Sequence, residues 1–247
     1  MLELDLWLEI AKSAALEGGN YLLQNQGKEL KVLMDSGRDI KLQLDTDTEK
    51  LIKESLSSQS SFSILGEETG LSNNLGEFYW VVDPLDGTSN FLRDIPISCV
   101  SIALMQDVTP ILGVIYDFNH DDLYFGHQNS KAFLNQNEIA VSDYSKKNQS
   151  TLVTGIPAKT HYSDEEFKNM ISDFQDWKKV RMIGSAAMAA IYVAAGKAET
   201  YKENGIFLWD IAAGAAIVEA AGGVASIKNI QADYRVDAIF TNQHLAN

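Results

Sequence analysis

Asp83 and Asp86 are the residues whose type and spacing most directly suggest chemistry. They lie three positions apart in the segment Asp83-Pro84-Leu85-Asp86-Gly87-Thr88-Ser89-Asn90-Phe91, directly after the apolar run Phe78-Tyr79-Trp80-Val81-Val82. Pro84 has no N–H to donate, so it favours the end of a strand at this point. The segment therefore predicts two carboxylates at the end of a buried strand, although a plain Asp-rich turn is an alternative at this stage.

The residues after Asp86 predict a binding site for an anion. Gly87 allows a tight turn and a close approach to a ligand. Thr88, Ser89 and Asn90 are N-cap residue types, so they predict a short helix that begins with free N–H groups. Carboxylates that hold a cation beside N–H groups that hold an anion make a plausible seat for a metal-bound phosphate.

Two further carboxylates follow or precede apolar elements. Glu67 comes after the predicted strand Phe62-Ser63-Ile64-Leu65, and Asp210 stands before a predicted apolar helix from Ile211 to Ala221. Since adjacent residues point in different directions, only one of Glu67 and Glu68 is expected to face a given site. Asp210 alone is explained equally well as the N-cap of its helix. Three or four converging carboxylates without thiolates would favour Mg²⁺.

A second acidic group lies at the start of a predicted helix from Leu44 to Leu56. Asp45, Asp47 and Glu49 crowd together there. Acidic residues in a first turn interact favourably with the helix dipole, and capping explains one of the two aspartates. A solvated acidic face is the alternative for the group as a whole.

Composition narrows the classes of function. The chain has 247 residues, 45% of them hydrophobic, with a formal net charge of −14. This charge disfavours nonspecific binding to nucleic acid or to an anionic membrane, and it means that phosphate would need cations at its site. The single cysteine, Cys99, lies in an apolar run and is expected to be a core residue. With no signal-peptide pattern, we expect a soluble cytoplasmic protein.

The pattern of elements predicts two halves of different architecture. Residues 1–146 read as two helices followed by a region rich in antiparallel strands, and residues 147–247 read as alternating strands and helices. The polar stretch 143–150 is a plausible seam between the halves. The fold class is therefore mixed α/β, with an antiparallel sheet in the first half and a mixed sheet in the second.

Three of these segments together resemble the signature motifs of a known family. Glu67-Glu68 after Gly66, the segment from Asp83 to Phe91, and Trp209-Asp210-Ile211-Ala212-Ala213-Gly214 with Gly222-Gly223 look like those of the inositol monophosphatase family. Its superfamily of Mg²⁺-dependent, lithium-sensitive phosphatases includes fructose-1,6-bisphosphatases and 3′-phosphoadenosine phosphatases. The resemblance implies a layered α-β-α-β-α sugar-phosphatase fold, two or three Mg²⁺ ions per site and a homodimer.

The resemblance also implies roles for particular residues. Glu67, Asp83 and the carbonyl of Leu85 would hold one Mg²⁺, while Asp83, Asp86 and Asp210 would hold a second. The N–H groups of Gly87 and Thr88 would bind phosphate, and Thr88, paired with Asp45, would help Glu67 to activate the attacking water. The residues implied on the substrate side are Asp86, Gly184, Ser185, Ala186 and Glu203.

The expected substrate is a small polyol, cyclitol or sugar monophosphate such as inositol-1-phosphate. A bisphosphate would demand extra cations, and the obvious local candidates are Lys159, Arg181 and Lys202. The alternatives are fructose 1,6-bisphosphate or a 3′(2′),5′-bisphosphate nucleotide as substrate. A metal- or sugar-phosphate-binding protein without catalysis, or a partner of nucleic-acid machinery, is the alternative of a different class. Direct contact with nucleic acid or membrane is not expected.

Overall fold

The computed structural model describes residues 3–36, 39–158 and 160–246, and these form a mixed α/β fold. The helices are α1 (Leu4–Asn25), α2 (Gln43–Ser57), α3 (Thr88–Phe91), α4 (Asp164–Phe174), α5 (Ala186–Ala194) and α6 (Leu208–Ala220), with a short 3₁₀ helix at Lys147–Gln149. The strands are β1 (Val32–Ser36), β2 (Asp39–Leu42), β3 (Ser63–Gly66), β4 (Gly70–Leu71), β5 (Phe78–Asp86), β6 (Cys99–Gln106), β7 (Thr109–Asp117), β8 (Asp122–His127), β9 (Ala132–Leu134), β10 (Asn137–Ile139), β11 (Thr151–Thr154), β12 (Lys179–Met182), β13 (Thr200–Phe207), β14 (Val224–Lys228) and β15 (Arg235–Thr241).

Two large sheets carry the fold. The first has the order β10-β9-β8-β7-β6-β5-β3-β4 and is antiparallel except between β3 and β5. The second has the order β12-β11-β13-β15-β14, and β11 runs parallel to both of its neighbours while β15 runs antiparallel to both of its own. The predicted contrast between an antiparallel first half and a mixed second half is confirmed. Strands β1 and β2 form a separate hairpin.

Both faces of the first sheet are buried. Trp80 and Val82 of β5 face a core that includes residues of α1 and α2, whereas Val81 faces a second core that includes residues of α5, α6 and the second sheet. This explains why β5 reads as a continuous apolar run rather than an alternating one. Helix α4 lies on the opposite side of the second sheet, where it borders a cavity of about 270 Å³ with Leu152 and Lys202. The resulting layers are α-β-α-β-α, as the family resemblance implies.

The long first helix packs closely on its neighbours through two glycines. A Cβ added at Gly18 would come within 2.8 Å of Ile52, and one at Gly19 would come within 2.4 Å of Tyr116. Glycine at both positions therefore allows this close approach. Cys99 is buried in the second core, as expected. The boundary between residues 146 and 147 remains a prediction.

Two elements near the candidate site, β5 and α6, are longer than predicted. Strand β5 continues through Asp86, with an irregular register against β6 between Asp83 and Asp86, so the two carboxylates lie within the strand end rather than after it. Strand β13 extends to Phe207 and therefore includes Glu203. Helix α6 begins at Leu208, so the interpretation of Asp210 as its N-cap was wrong. Asp210 lies in the first turn instead, where its Oδ2 accepts a hydrogen bond from the Phe207 N–H at 3.3 Å.

The part of the chain that the structure describes contains no helix long and apolar enough to cross a membrane.

Candidate active site

Carboxylates from three separate elements meet at one place. Glu67 follows β3, Asp83 lies near the end of β5, and Asp210 lies in the first turn of α6. One oxygen of each lies within 4.8 Å of the others. Residues distant in sequence are thus brought together as the metal-site prediction requires. The role of each residue as a ligand remains a prediction.

Asp86 connects this cluster to the second half of the chain. Its Oδ2 accepts hydrogen bonds from the Ser185 hydroxyl and, at 2.8 Å, from the Ala187 N–H in the first turn of α5. Burial raises the pKa of Asp86 to about 6, although these bonds and those of the Ala186 and Gly87 N–H groups lower it. Ser185, predicted on the alcohol side of the substrate, therefore also holds a predicted metal ligand.

Asp83 and Leu85 are fixed by the turn that they form. The Leu85 N–H donates to Asp83 Oδ1 at 3.0 Å, and the Leu85 carbonyl accepts from the Thr88 hydroxyl at 3.0 Å. Gly87, the N-cap of α3, has φ of +87°, and a Cβ there would lie 2.7 Å from the Ile97 carbonyl oxygen. Since a side chain would be both strained and obstructed, glycine is required at this position.

Asp45 is buried beside the cluster, with 2% of its surface exposed. Its Oδ2 accepts from the Leu42 N–H at 2.9 Å, whereas its Oδ1 is buried with no hydrogen-bond partner among the residues that the structure describes. The predicted pair with Thr88 is not formed, because the Thr88 hydroxyl donates to Leu85 instead. Burial is also the main cause that raises the pKa of Asp45 to about 8.

The acidic group at the start of α2 is not a solvated face. Asp45 and Glu49 are buried, and Asp47 is the exposed member. That alternative was wrong for two of the three residues. The two buried ones lie four positions apart, which places them on the same side of the helix.

The residues predicted on the substrate side lie on two other segments. Gly184 is exposed, and Ala186 is buried at the start of α5. Glu203 on β13 is 8% exposed, and its pKa is raised to about 8, first by burial and then by the charge of Asp86. Tyr201, two residues earlier on the same side of β13, is fully buried.

Asn90 has a role that the sequence did not reveal. Its residue type predicts an N-cap, but its side-chain amide donates to the carbonyls of Ile97 and Ile183, each at 2.8 Å. These bonds tie the α3 turn to the segment that precedes Gly184. Asn90 and Ile183 are 93 residues apart along the chain, so no local sequence pattern could indicate this contact.

Lys41 is a second residue near the site that no sequence pattern indicates. A cavity of about 190 Å³ lies at the cluster, lined by Lys41, Glu67, Pro157, Ala158, Ile206, Phe207, Trp209 and Asp210. The Lys41 ammonium group lies 3.0 Å from a carboxylate oxygen of Glu68. Among the predicted candidates for binding a second phosphate, Lys159 lies outside the described residues. Neither Arg181 nor Lys202 lines this cavity. Arg181 is exposed, and Lys202 lies 3.5 Å from Asp173 and lines the cavity of about 270 Å³ together with Glu203.

The electrostatics of the cluster fit a bound cation. Burial raises the pKa of Glu67 to about 7, and it raises the pKa values of Asp83 and Asp210 well above their usual range. The charges of neighbouring carboxylates raise these pKa values further. An added cation would reverse this effect by stabilising the charged forms. The oxygen-only donor set and the unpartnered Asp45 Oδ1 also suit Mg²⁺ with its bound water.

Comparison with known proteins identifies the family of this chain. The model of the inositol monophosphatase family matches residues 3–239. "Nus factor SuhB" of Xylella fastidiosa is 38% identical, covering 87% of this chain and 80% of that protein. "Fructose-1,6-bisphosphatase/inositol-1-monophosphatase" of Aquifex aeolicus is 34% identical, covering 92% and 88%. The solved inositol monophosphatase of Anabaena (Nostoc) superposes with a TM-score of 0.83 at 33% identity, covering 98% and 92%. The chain belongs to the inositol monophosphatase family.

Proposed function

We propose that this protein is a Mg²⁺-dependent phosphomonoesterase that hydrolyses a small polyol, cyclitol or sugar monophosphate such as inositol-1-phosphate. Family membership makes the chain a hydrolase of phosphoric monoesters. The observation that supports the metal-dependent mechanism is the convergence of Glu67, Asp83 and Asp210. These carboxylates lie beside the α3 turn, where the family resemblance implies that the N–H groups of Gly87 and Thr88 bind phosphate.

Glu67, Asp83 and the Leu85 carbonyl would hold one Mg²⁺, and Asp83, Asp86 and Asp210 would hold another. Bound Mg²⁺ would lower the pKa of the attacking water and neutralise the phosphate and the departing alkoxide. Two or three ions are expected, and their number is part of the proposal.

The chain's own groups would orient the reactants. Glu67 and Thr88 would orient the water, with the Thr88 hydroxyl held in place by the Leu85 carbonyl. Asp45, whose Oδ1 has no hydrogen-bond partner among the described residues, would act with Thr88 and Glu67 to orient or deprotonate the water. The N–H groups of Gly87 and Thr88 would bind phosphate oxygens. No phosphorylated enzyme intermediate is required.

The leaving group would face Gly184, Ser185, Ala186 and Glu203. Burial raises the pKa of the Glu203 carboxyl to about 8, so it is mostly protonated at neutral pH and can both donate to and accept from alcohol groups. Arg181 is exposed and donates to the neighbouring Val180 carbonyl. Lys202 lines the cavity of about 270 Å³ together with Glu203 and lies 3.5 Å from Asp173, and Lys41 lines the cavity at the cluster. The preference for a monophosphate of an uncharged polyol over a bisphosphate is part of the proposal, and the substrate panel below tests it.

A substrate panel tests the proposal. Phosphate release is measured with inositol-1-phosphate, fructose 1,6-bisphosphate, 3′-phosphoadenosine 5′-phosphate and a set of sugar monophosphates, each with Mg²⁺ and with EDTA. We expect the highest kcat/KM on a polyol or sugar monophosphate and no turnover in EDTA. Hydrolysis that persists in EDTA would contradict the metal assignment, and a preference for a bisphosphate would support the alternative that the Aquifex relative's name suggests.

A non-catalytic role is the second candidate, because a relative at 38% identity carries the name Nus factor. The net charge of −14 argues against direct contact with nucleic acid. Measurement of RNA binding by the purified protein at low and high salt separates these roles. A homodimer is also proposed, from the family resemblance alone, and light scattering after size-exclusion chromatography tests it.

A further inference from the structure

Glu49 is a fully buried carboxylate that the proposed mechanism leaves unused. It lies on α2 one helical turn after Asp45, beneath the turn that connects β3 to β4, and none of its surface is exposed. Its Oε2 accepts from the Glu68 N–H at 2.7 Å, and its Oε1 accepts from the Thr69 N–H at 3.0 Å. The Thr69 hydroxyl also donates to Oε1. Two consecutive N–H groups and one hydroxyl therefore converge on this single carboxylate.

Lys53 completes the arrangement from the next turn of α2. Its ammonium nitrogen lies 3.1 Å from Glu49 Oε1 and 3.2 Å from the Gly70 carbonyl oxygen, and it also contacts the Thr69 hydroxyl. A buried carboxylate is costly unless it is paired and hydrogen-bonded. Glu49 is both paired and hydrogen-bonded. Lys53 supplies the positive charge, and the hydrogen-bond donors belong to the turn at residues 68–70.

The fit between Glu49 and this turn is close. A Cβ added at Gly66 would lie 2.4 Å from the carboxyl carbon of Glu49, so the backbone passes directly over the carboxylate. On its other side, the Glu67 N–H donates to the Val82 carbonyl of β5 at 3.1 Å. Glu67 is thus held between β5 and the residues that Glu49 binds.

We propose that Glu49 is a positioning residue, which sets the place and direction of the Glu67 carboxylate for cation binding by fixing the next two residues of the chain. Glu49 itself is not part of the group Glu67, Asp83 and Asp210. Mg²⁺ demands near-ideal octahedral geometry, so a small displacement of one ligand weakens binding. The inference rests on the proposed function, because it assumes that Glu67 is a Mg²⁺ ligand.

The substitution Glu49→Gln tests this role with little change in shape. A glutamine offers one acceptor oxygen, so either the Glu68 N–H or the Thr69 groups lose their partner. We expect the Kd for Mn²⁺ and Mg²⁺, measured by calorimetry without substrate, to rise about tenfold, within the range for lost outer-shell partners of metal ligands. At saturating Mg²⁺, kcat should return to nearly the wild-type value, and KM for the substrate should be unchanged.

The matched control is Glu54→Gln on the exposed side of the same helix, where Glu54 lies 3.9 Å from Lys50. This variant should leave the metal Kd unchanged. If Glu49→Gln does not fold, Thr69→Val removes one hydroxyl from the same arrangement and should raise the metal Kd by a smaller factor.

The inference would be overturned if Glu49→Gln had a lower Tm but an unchanged metal Kd, because Glu49 would then contribute only to stability. If only Thr69→Val folds, the same result in that variant would overturn it. Failure of the wild-type protein to bind either metal would instead overturn the proposed function. The two failures are therefore distinguishable.

Discussion

The Asp86 carboxylate accepts a hydrogen bond at 2.8 Å from the N–H of Ala187, a residue 101 positions further along the chain. Ala187 lies in the first turn of α5, where free N–H groups and the helix dipole favour a negative charge. The Ser185 hydroxyl donates to the same oxygen and also accepts from the Met188 N–H as the helix cap. The position of a predicted metal ligand is therefore set by the start of a helix in the other half of the chain.

Ser185→Ala should weaken the candidate site and the helix together. Loss of the cap should lower the free energy of unfolding by about 1 kcal/mol. Loss of the bond to Asp86 should raise the Mg²⁺ concentration needed for half-maximal activity severalfold, because that carboxylate is then less firmly oriented. Thermal unfolding and a Mg²⁺ titration of activity measure the two effects. Ser89→Ala, at an exposed position, is the control and should change neither.

Asp83→Asn should remove nearly all turnover. Asp83 is 1% exposed, lies in one cluster with Glu67 and Asp210, and would contribute to both proposed Mg²⁺ sites. Replacing its charge with an amide should weaken both sites at once. Steady-state phosphate release at saturating Mg²⁺ measures the loss, and Asp47→Asn, at the exposed position on α2, is the control. Near-wild-type hydrolysis by Asp83→Asn would exclude the two-metal assignment.

Thr88→Ala should lower kcat by about two orders of magnitude while leaving Mg²⁺ affinity close to that of the wild type. The Thr88 hydroxyl is held by the Leu85 carbonyl and is proposed to orient the attacking water. Loss of one positioned group of this kind typically costs a factor of about 10² to 10⁴. Thr88→Ser keeps the hydroxyl and should keep most of the activity. An unchanged kcat in Thr88→Ala would mean that the water is oriented by other groups.

The local elements were predictable because their signals are local. The helical spacing of α1, the capping residues of α4 and the apolar run of β5 are complete within short windows of sequence. The structure contains all three elements, and Ser163 and Glu166 cap each other at the start of α4. The family motifs also identified Glu67, Asp83 and Asp210, which the fold brings together.

The contacts that support the site were not predictable in the same way. Asn90 binding to Ile183, Asp86 binding to Ala187 and Glu49 binding to Glu68 all join residues from different elements. Composition and spacing show which residue types are present but not which of them are in contact. For Glu49, the sequence alone allowed a solvated acidic face as the alternative. Burial, which follows from the packing of α2 on the first sheet, decides that Glu49 and Asp45 are internal.

The stability of the metal-free protein should fall as the pH rises from 5 to 8. Burial raises the pKa of Asp86 to about 6, that of Glu67 to about 7, and those of Asp45 and Glu203 to about 8. In the unfolded chain, these groups lose their protons near pH 4. Between those values the folded protein holds more protons than the unfolded chain, so raising the pH favours unfolding. Scanning calorimetry in EDTA at constant ionic strength measures the decline in Tm.

Mg²⁺ should oppose this decline, and more strongly at pH 8 than at pH 6. Cation binding requires deprotonated carboxylates, so the protons that oppose binding at pH 6 are largely absent at pH 8. The increase in Tm on adding saturating Mg²⁺ should therefore grow with pH. Asp83→Asn should show a shallower decline in EDTA and a smaller response to Mg²⁺, whereas Glu54→Gln, with its exposed side chain, should match the wild type. A Tm that rises from pH 5 to 8 in EDTA would contradict the idea that the cluster is partly protonated without metal. Such a rise would mean that the folded protein favours the charged form of these carboxylates more than water does.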